Sequence, residues 1–189
     1  PPAAALIMTG SGTAAGIVVS ASANFTLSGN NLTIELSNTS PLHAGTDKAG
    51  NMLTGLFFSL TGSPVLLPLS ATIAPGSLLL GSACHPGPCN GSTVNVGGEF
   101  GYQQAAFPLG ADRGIASGQF VNSGLPCGAG NFNNGLAGPN LDNPLGIGGI
   151  NFSLASINGF NPHVTFISDP LIGGTVTFQL SGVDGLGEN

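Results

Sequence analysis

Three cysteines are the residues of this 189-residue sequence whose spacing most directly suggests chemistry. Cys84 and Cys89 flank His85, Pro86, Gly87 and Pro88, a loop that a disulfide would close with a gain of about 2 kcal/mol in loop entropy. Metal binding is the other use of such a spacing. A CxxxxC with one neighbouring His falls short of the four ligands of a structural zinc site, so Cys84 and Cys89 are read as a candidate disulfide and no metal is assigned. Cys127 is then the odd cysteine, which could pair with either of the others, stay buried as a thiol, or link subunits.

The remaining reactive side chains do not assemble into a catalytic set. His43, His85 and His163 are scattered, with no HxxxH spacing. Serine is abundant but no GxSxG elbow occurs, and a triad does not follow from Ser, His and Asp merely being present. The carboxylates Glu35, Asp47, Glu99, Asp112, Asp142, Asp169, Asp184 and Glu188 are dispersed. Glycosidase chemistry needs two carboxyls facing one bond, which dispersed positions neither require nor exclude. Asp142 and Asp169 could lend oxygens to an irregular Ca²⁺ site, but no EF-hand loop is present, and solvated loop carboxylates are the better reading. No catalytic residue, cofactor or enzyme activity is therefore expected. Sequons occur at Asn24, Asn31, Asn38, Asn90 and Asn151 in a chain rich in Asn, Ser and Thr, so they argue only weakly for glycosylation.

Charge narrows the partners. Only 5% of the residues are charged, against about 25% in an ordinary soluble protein, so solubility rests on Ser, Thr, Asn and Gly. With 41% hydrophobic residues the chain has enough apolar side chains to fold or assemble. Lys48 and Arg113 are the whole basic complement, too little to track phosphates, so nucleic acid is excluded as a partner. No apolar run reaches the length of a membrane span. A start at Pro1-Pro2 suits neither a cytosolic protein nor a signal-peptidase product, and the numbering is expected to begin inside a longer precursor.

The elements that would carry any site are strands. In AAGIVVSASANFTLSGNNLTIELSN, from Ala14 to Asn38, Ile17, Val19, Ala21, Ala23, Phe25 and Leu27 alternate with Val18, Ser20, Ser22, Asn24, Thr26 and Ser28, a mostly polar set. The alternation resumes after Ser28-Gly29-Asn30-Asn31 with Leu32, Ile34 and Leu36, the pattern of a half-buried β-hairpin. Further strands are predicted over Met52–Leu60, Ser70–Ala74, Ser77–Leu80, Ser92–Val96, Gly149–Ile157, His163–Ser168 and Gly174–Leu180. Val65–Leu69 is a short apolar run. The Gly- and Asn-rich stretch from Gly97 to Pro144 is read as loops with one or two short strands. No sustained helical period and no fixed repeat appear. Short strands with turn signals at this spacing indicate an all-β, antiparallel β-sandwich of jelly-roll or Ig-like kind with little helix. Residues 14–189 are expected to form one domain. Residues 1–13 form an N-terminal extension, in which the apolar patch Ala3 to Met8 is followed by a Gly/Ser stretch resembling a tether. That patch is either a frayed leader or edge strand, or a strand donated to a neighbour's sheet, with Ala3, Ala5, Leu6, Ile7 and Met8 as candidate subunit contacts.

Taken in order, ASANFTLSGNNLTIELSNTS, LTGLFFSLTGSPVLLPLSATIAPGS, VGGEFGYQ, GLAGPNLDNPLGIGGINFSLAS and PLIGGTVTFQLSGVDGL resemble bacterial exosortase-sorted surface proteins of the PEP-CTERM type, over about Ala21 to Leu186. The resemblance implies secretion, a C-terminal Pro-Glu-Pro sorting tail cleaved by a membrane transpeptidase-like enzyme, and no enzymatic activity. This sequence ends at Asn189 without such a tail, which implies its removal or a different precursor. The expectation is a secreted, non-enzymatic cell-surface or extracellular-matrix protein whose main partner is its own copies, as in a filament joined by N-terminal strand donation. Extracellular polysaccharide is the second partner class: the alternative is a monomeric carbohydrate-binding module using the loops from Gly97 to Pro144, disfavoured by a single Tyr, Tyr102, and the lack of Trp.

Overall fold

The computed structural model describes residues 4–14, 16–41, 52–80, 89–90, 95–117, 152–158 and 171–182. The hairpin around Gly29 builds the sheet. β1 (Ala4–Ala14), β2 (Ile17–Ser28) and β3 (Asn31–Asn38) form an antiparallel meander, to which β5 (Leu67–Ile73) and β12 (Thr175–Ser181) add in the order β1-β2-β3-β12-β5. Gly29, at φ 57°, makes the two-residue turn between Ser28 and Asn31, a backbone conformation that glycine adopts without steric cost.

Register carries the apolar pattern across this sheet. Leu6 lies opposite Phe25, Phe25 opposite Ile34, Ile34 opposite Phe178, and Phe178 opposite Ala71. A parallel row runs Met8, Ala23, Leu36, Val176, Ile73. Because directly opposed residues share a face, both rows point to the same side. Their members from β2 to β5 are buried.

Two smaller sheets cover that side. β4 (Gly55–Phe58), β8 (Phe100–Gln104) and β9 (Arg113–Ser117) pair in the order β4-β9-β8, whereas β6 (Leu78–Leu80), β7 (Cys89–Asn90), β10 (Leu154–Ala155) and β11 (Leu171–Gly173) pair in the order β10-β11-β6-β7. The layers meet through edge-to-face rings, Phe25 on Phe58 at 5.6 Å and Phe100 on Phe178 at 5.0 Å. One buried cluster spans all three sheets, and the chain is an all-β sandwich. Among the described strands the pairs are antiparallel apart from β10 with β11, which run parallel. Among the described residues helix is confined to 3-10 turns at Gly97–Glu99 and Pro108–Gly110, and none is long and apolar enough to cross a membrane.

Several strands differ from the sequence pattern because one apolar run serves two sheets. The predicted Met52–Leu60 strand is split: Leu53 bridges to Leu154, while Gly55–Phe58 pairs with β9. Val65–Leu69 and Ser70–Ala74 merge into β5, whose pairing slips by one residue opposite Gln179 and Leu180. Of the predicted Ser92–Val96 strand, Asn95 bridges to Thr72. Gly149–Ile157 is represented by the two residues of β10. His163–Ser168 lies outside the described residues. Residues 100–104 and 113–117 form a hairpin, so the irregular middle does contain two strands. Ser11, Gly12 and Thr13, which read as a tether, continue β1.

Gly174 is the corner where the chain leaves one sheet for the other, between β11 and β12. Its φ is 131°, and a Cβ there would lie 2.3 Å from Ser77 Oγ, the atom that accepts the Thr175 N–H at 2.8 Å. Gly174→Ala is expected to cost about 2–4 kcal/mol through backbone strain and overpacking. Gly62→Ala, also at positive φ but with open space around it, should cost only about 1 kcal/mol. Urea midpoints of the two variants measure the contrast.

Candidate functional site

The inner-face rows outrun their cover at β1. Leu6 is 59% exposed and Met8 55%, although Phe25 and Ala23 beside them are 9% and 5% exposed. Nearly every residue of β1 is exposed. β4 reaches as far as Phe25, and beyond it a groove of about 650 Å³ opens between the β1–β2 ribbon and β4, lined by Leu6, Met8, Phe25, Leu27, Leu56 and Phe58 among others. Ile7, on the opposite face, is 68% exposed.

Among the described residues β1 is also an edge strand, with β2 as its one partner. Ala14 and Ile17 flank a two-residue turn, as do Ser28 and Asn31, and residues flanking such a turn form a hydrogen-bonded pair. Along β1 the even residues therefore aim their N–H and C=O groups at β2, and Ala5, Ile7, Thr9, Ser11 and Thr13 aim theirs outward. The neighbouring hairpin follows the same parity, for Thr39 N–H donates to Ser20 C=O at 3.0 Å. The strand AALIMTGSGTA contains no charge and no proline, the devices that usually blunt an exposed edge.

The far edge of the sheet is treated differently. β5 carries Pro68 and the register slip, and Asn95 and Val96 lie along it, with Val96 N–H donating to Ala71 C=O at 2.8 Å. Leu67 and Leu69 are exposed there, but the backbone of β5 is partly occupied.

Of the sequence-predicted contact residues, Ala5, Leu6, Ile7 and Met8 stand together on β1, paired with their own β2; Ala3 lies outside the described residues. Cys89 belongs to β7, opposite Leu79, and Cys84 and Cys127 lie outside the described residues, as do all three histidines and Asp47, Asp142, Asp169, Asp184 and Glu188. Glu35 accepts a hydrogen bond from Asn24 Nδ2 at 2.9 Å. Asn38 is buried and donates from Nδ2 to Leu154 C=O at 2.8 Å, so this sequon residue stitches β3 to β10. Among the described residues no three His, Cys, Asp or Glu side chains gather as metal ligands.

Arg113 and the part-exposed Asp112 form an ion pair. Arg113 is fully buried, its guanidinium donating to the Asp112 carboxylate and to the Pro64 carbonyl, which pins the residue after the Leu60–Ser63 turn against β9. Burial pushes the Asp112 carboxyl up, but the hydrogen bonds from Arg113 and Ser63 and the guanidinium charge outweigh it and hold the group below its ordinary value. Burial raises the Tyr102 phenol, with Arg113 pulling the other way. Neither Arg113 nor the groove residues Leu56 and Phe58 stood out in the sequence. The consecutive Leu56-Phe57-Phe58, apolar on both strand faces, was the available signal. Phe57 and Phe107 lie 5.0 Å apart over Gly114, leaving Phe57 exposed on the outer face.

Comparison of the chain with protein-family models, curated proteins and solved structures finds no match.

Glu99 is 2% exposed, and burial pushes its carboxyl up from 4.5 to about 8. Between those values the folded chain holds the proton and the unfolded chain does not, so stability falls as pH rises through the window. Glu99→Gln is expected to flatten that slope, the difference between variant and wild type growing by about 1.4 kcal/mol per pH unit. Urea midpoints at about pH 5 and about pH 8 read it. Asp112 does not interfere, because its lowered value places its contribution below this window: that stability is lost only as pH falls through the depressed value.

Proposed function

We propose that this chain is a secreted, non-enzymatic structural protein of the cell surface or extracellular matrix that self-associates through its N-terminal strand. The observation that carries the reading is the uncovered end of the inner-face rows: Leu6 and Met8 stand exposed on a long, uncharged strand whose outer edge has no partner among the described residues. Exposed flat apolar edges are templates for strand addition. The low charge, the scattered reactive side chains and the resemblance to exosortase-sorted surface proteins point the same way, and with that resemblance comes the proposal of an extracellular location. Filament formation by strand donation is one form of this association.

Sedimentation velocity and negative-stain microscopy of the full chain are expected to show concentration-dependent assembly. Because the joint lacks charge, assembly should change little with salt. Deleting residues 1–12 should leave a folded monomer, since β1 contributes no buried residue. Dispersed monomers of the intact chain at every concentration would overturn the reading.

A carbohydrate-binding module is the second reading, favoured by the exposed Phe57 beside Phe107, a surface on which a sugar ring could stack. A glycan array with signal abolished by Phe57→Ala supports it, and a blank array removes it.

A further inference from the structure

Resting on the self-association reading, we infer that the partner of β1 is β1 of a second copy, joined antiparallel across a two-fold axis at Ile7. Three observations select this occupant. The first is edge chemistry: the outward N–H and C=O groups of Ala5, Ile7 and Thr9 form a set that an antiparallel copy of itself satisfies, with Ala5 opposite Thr9 of the partner copy and Ile7 opposite Ile7 of the partner copy. The second is the asymmetry between the two ends of the sheet. β5 is blunted by Pro68, by its register slip and by the Val96–Ala71 hydrogen bond, so a head-to-tail joint of β1 onto β5 would meet an edge already partly filled. Among the described residues β1 has no such protection.

The third is side-chain register. With the axis at Ile7, Leu6 faces Met8 of the partner copy on the groove side, and Met8 faces Leu6 of the partner copy. The row Leu6-Phe25-Ile34-Phe178-Ala71 then continues into Met8-Ala23-Leu36-Val176-Ile73 of the partner copy. The result is one ten-stranded sheet, five strands from each copy, with an unbroken apolar inner face. No charge lies on β1 of either copy, so a net charge of −6 per chain sets no like charges against each other at the joint. Such a contact is isologous and closes on itself. The N-terminal strand therefore makes a dimer, and any longer assembly needs a second surface.

Parity gives the test its specificity. Proline at an odd position removes an outward donor and leaves the β1–β2 bonds in place. In sedimentation velocity under reducing conditions, where Cys84, Cys89 and Cys127 form no links, the intact chain is expected to saturate at a dimer. Ile7→Pro should weaken that dimer at least about tenfold, because the two-fold axis removes two backbone hydrogen bonds with one substitution. Far-UV circular dichroism and hydrogen exchange on β2 confirm that the hairpin is intact. In oxidising buffer Ile7→Cys should give an interchain disulfide joining position 7 to position 7, identified by mass spectrometry, and Thr13→Cys should not. Association that Ile7→Pro leaves unchanged, or crosslinking at position 13 in place of 7, overturns this joint while self-association stands. An intact chain that is monomeric at the highest attainable concentration overturns both.

Discussion

Strand register across the five-stranded sheet is the constraint on which the rest of the structure depends. Side chains alternate faces with a period of two, so a slip of one residue in β2, β3 or β12 would turn Phe25, Ile34 or Phe178, respectively, away from the core. The two-residue turns at either end of β2 set the pairing of β1, β2 and β3, and β12 inherits it by pairing Phe178 with Ile34. Where the pairing does slip, between Gln179 and Leu180 against β5, the sheet is already at its edge and the core row of Phe178 and Ala71 is intact. The same register that buries the rows in the middle also delivers Leu6 and Met8 to a place where nothing described covers them. The core and the candidate joint are two stretches of one pattern.

Scarcity of charge shapes the molecule in a second way. In a chain with so few ionisable groups, three of those described are drawn into the interior or its margin. Arg113 is held by Asp112 and the Pro64 carbonyl, and breaking such a pair leaves an uncompensated charge in a poorly solvating place. Glu99 resolves the same problem by holding its proton. Hydroxyl and amide groups do much of the polar work elsewhere: Asn38 to Leu154, Ser37 with Thr175, and Thr175 to Ser77 tie the layers and the sheet corner together. An uncharged edge strand sets no like charges against each other along that edge.

Reading the sequence worked where a strand has one wet face. Ile17 to Leu27, Leu32 to Leu36 and Val176 to Leu180 alternate cleanly, and all three lie in the large sheet as the alternation indicates. It failed where both faces are covered or the partner changes within a run. Leu53 and Phe58 belong to one apolar segment but bond to different sheets. Leu154-Ala155 is buried on all sides and pairs in parallel with β11, which no local pattern announces. Arg113 is among the largest fully buried side chains, yet its type argues for the surface.

The sequence by itself determined the β class, the dominant hairpin, the scarcity of charge, and the apolar character of residues 4–8, because these follow from composition and from periods of two. Only the tertiary structure decided that this apolar segment lies back along its own β2, that the Gly/Ser stretch after it is strand, and that, among the described residues, one edge of the sheet is blunted and the other is open. Those outcomes depend on contacts between residues far apart in the chain, such as Val96 with Ala71 and Phe25 with Phe58, and local alternation holds no information about which distant strand will arrive to cover a face.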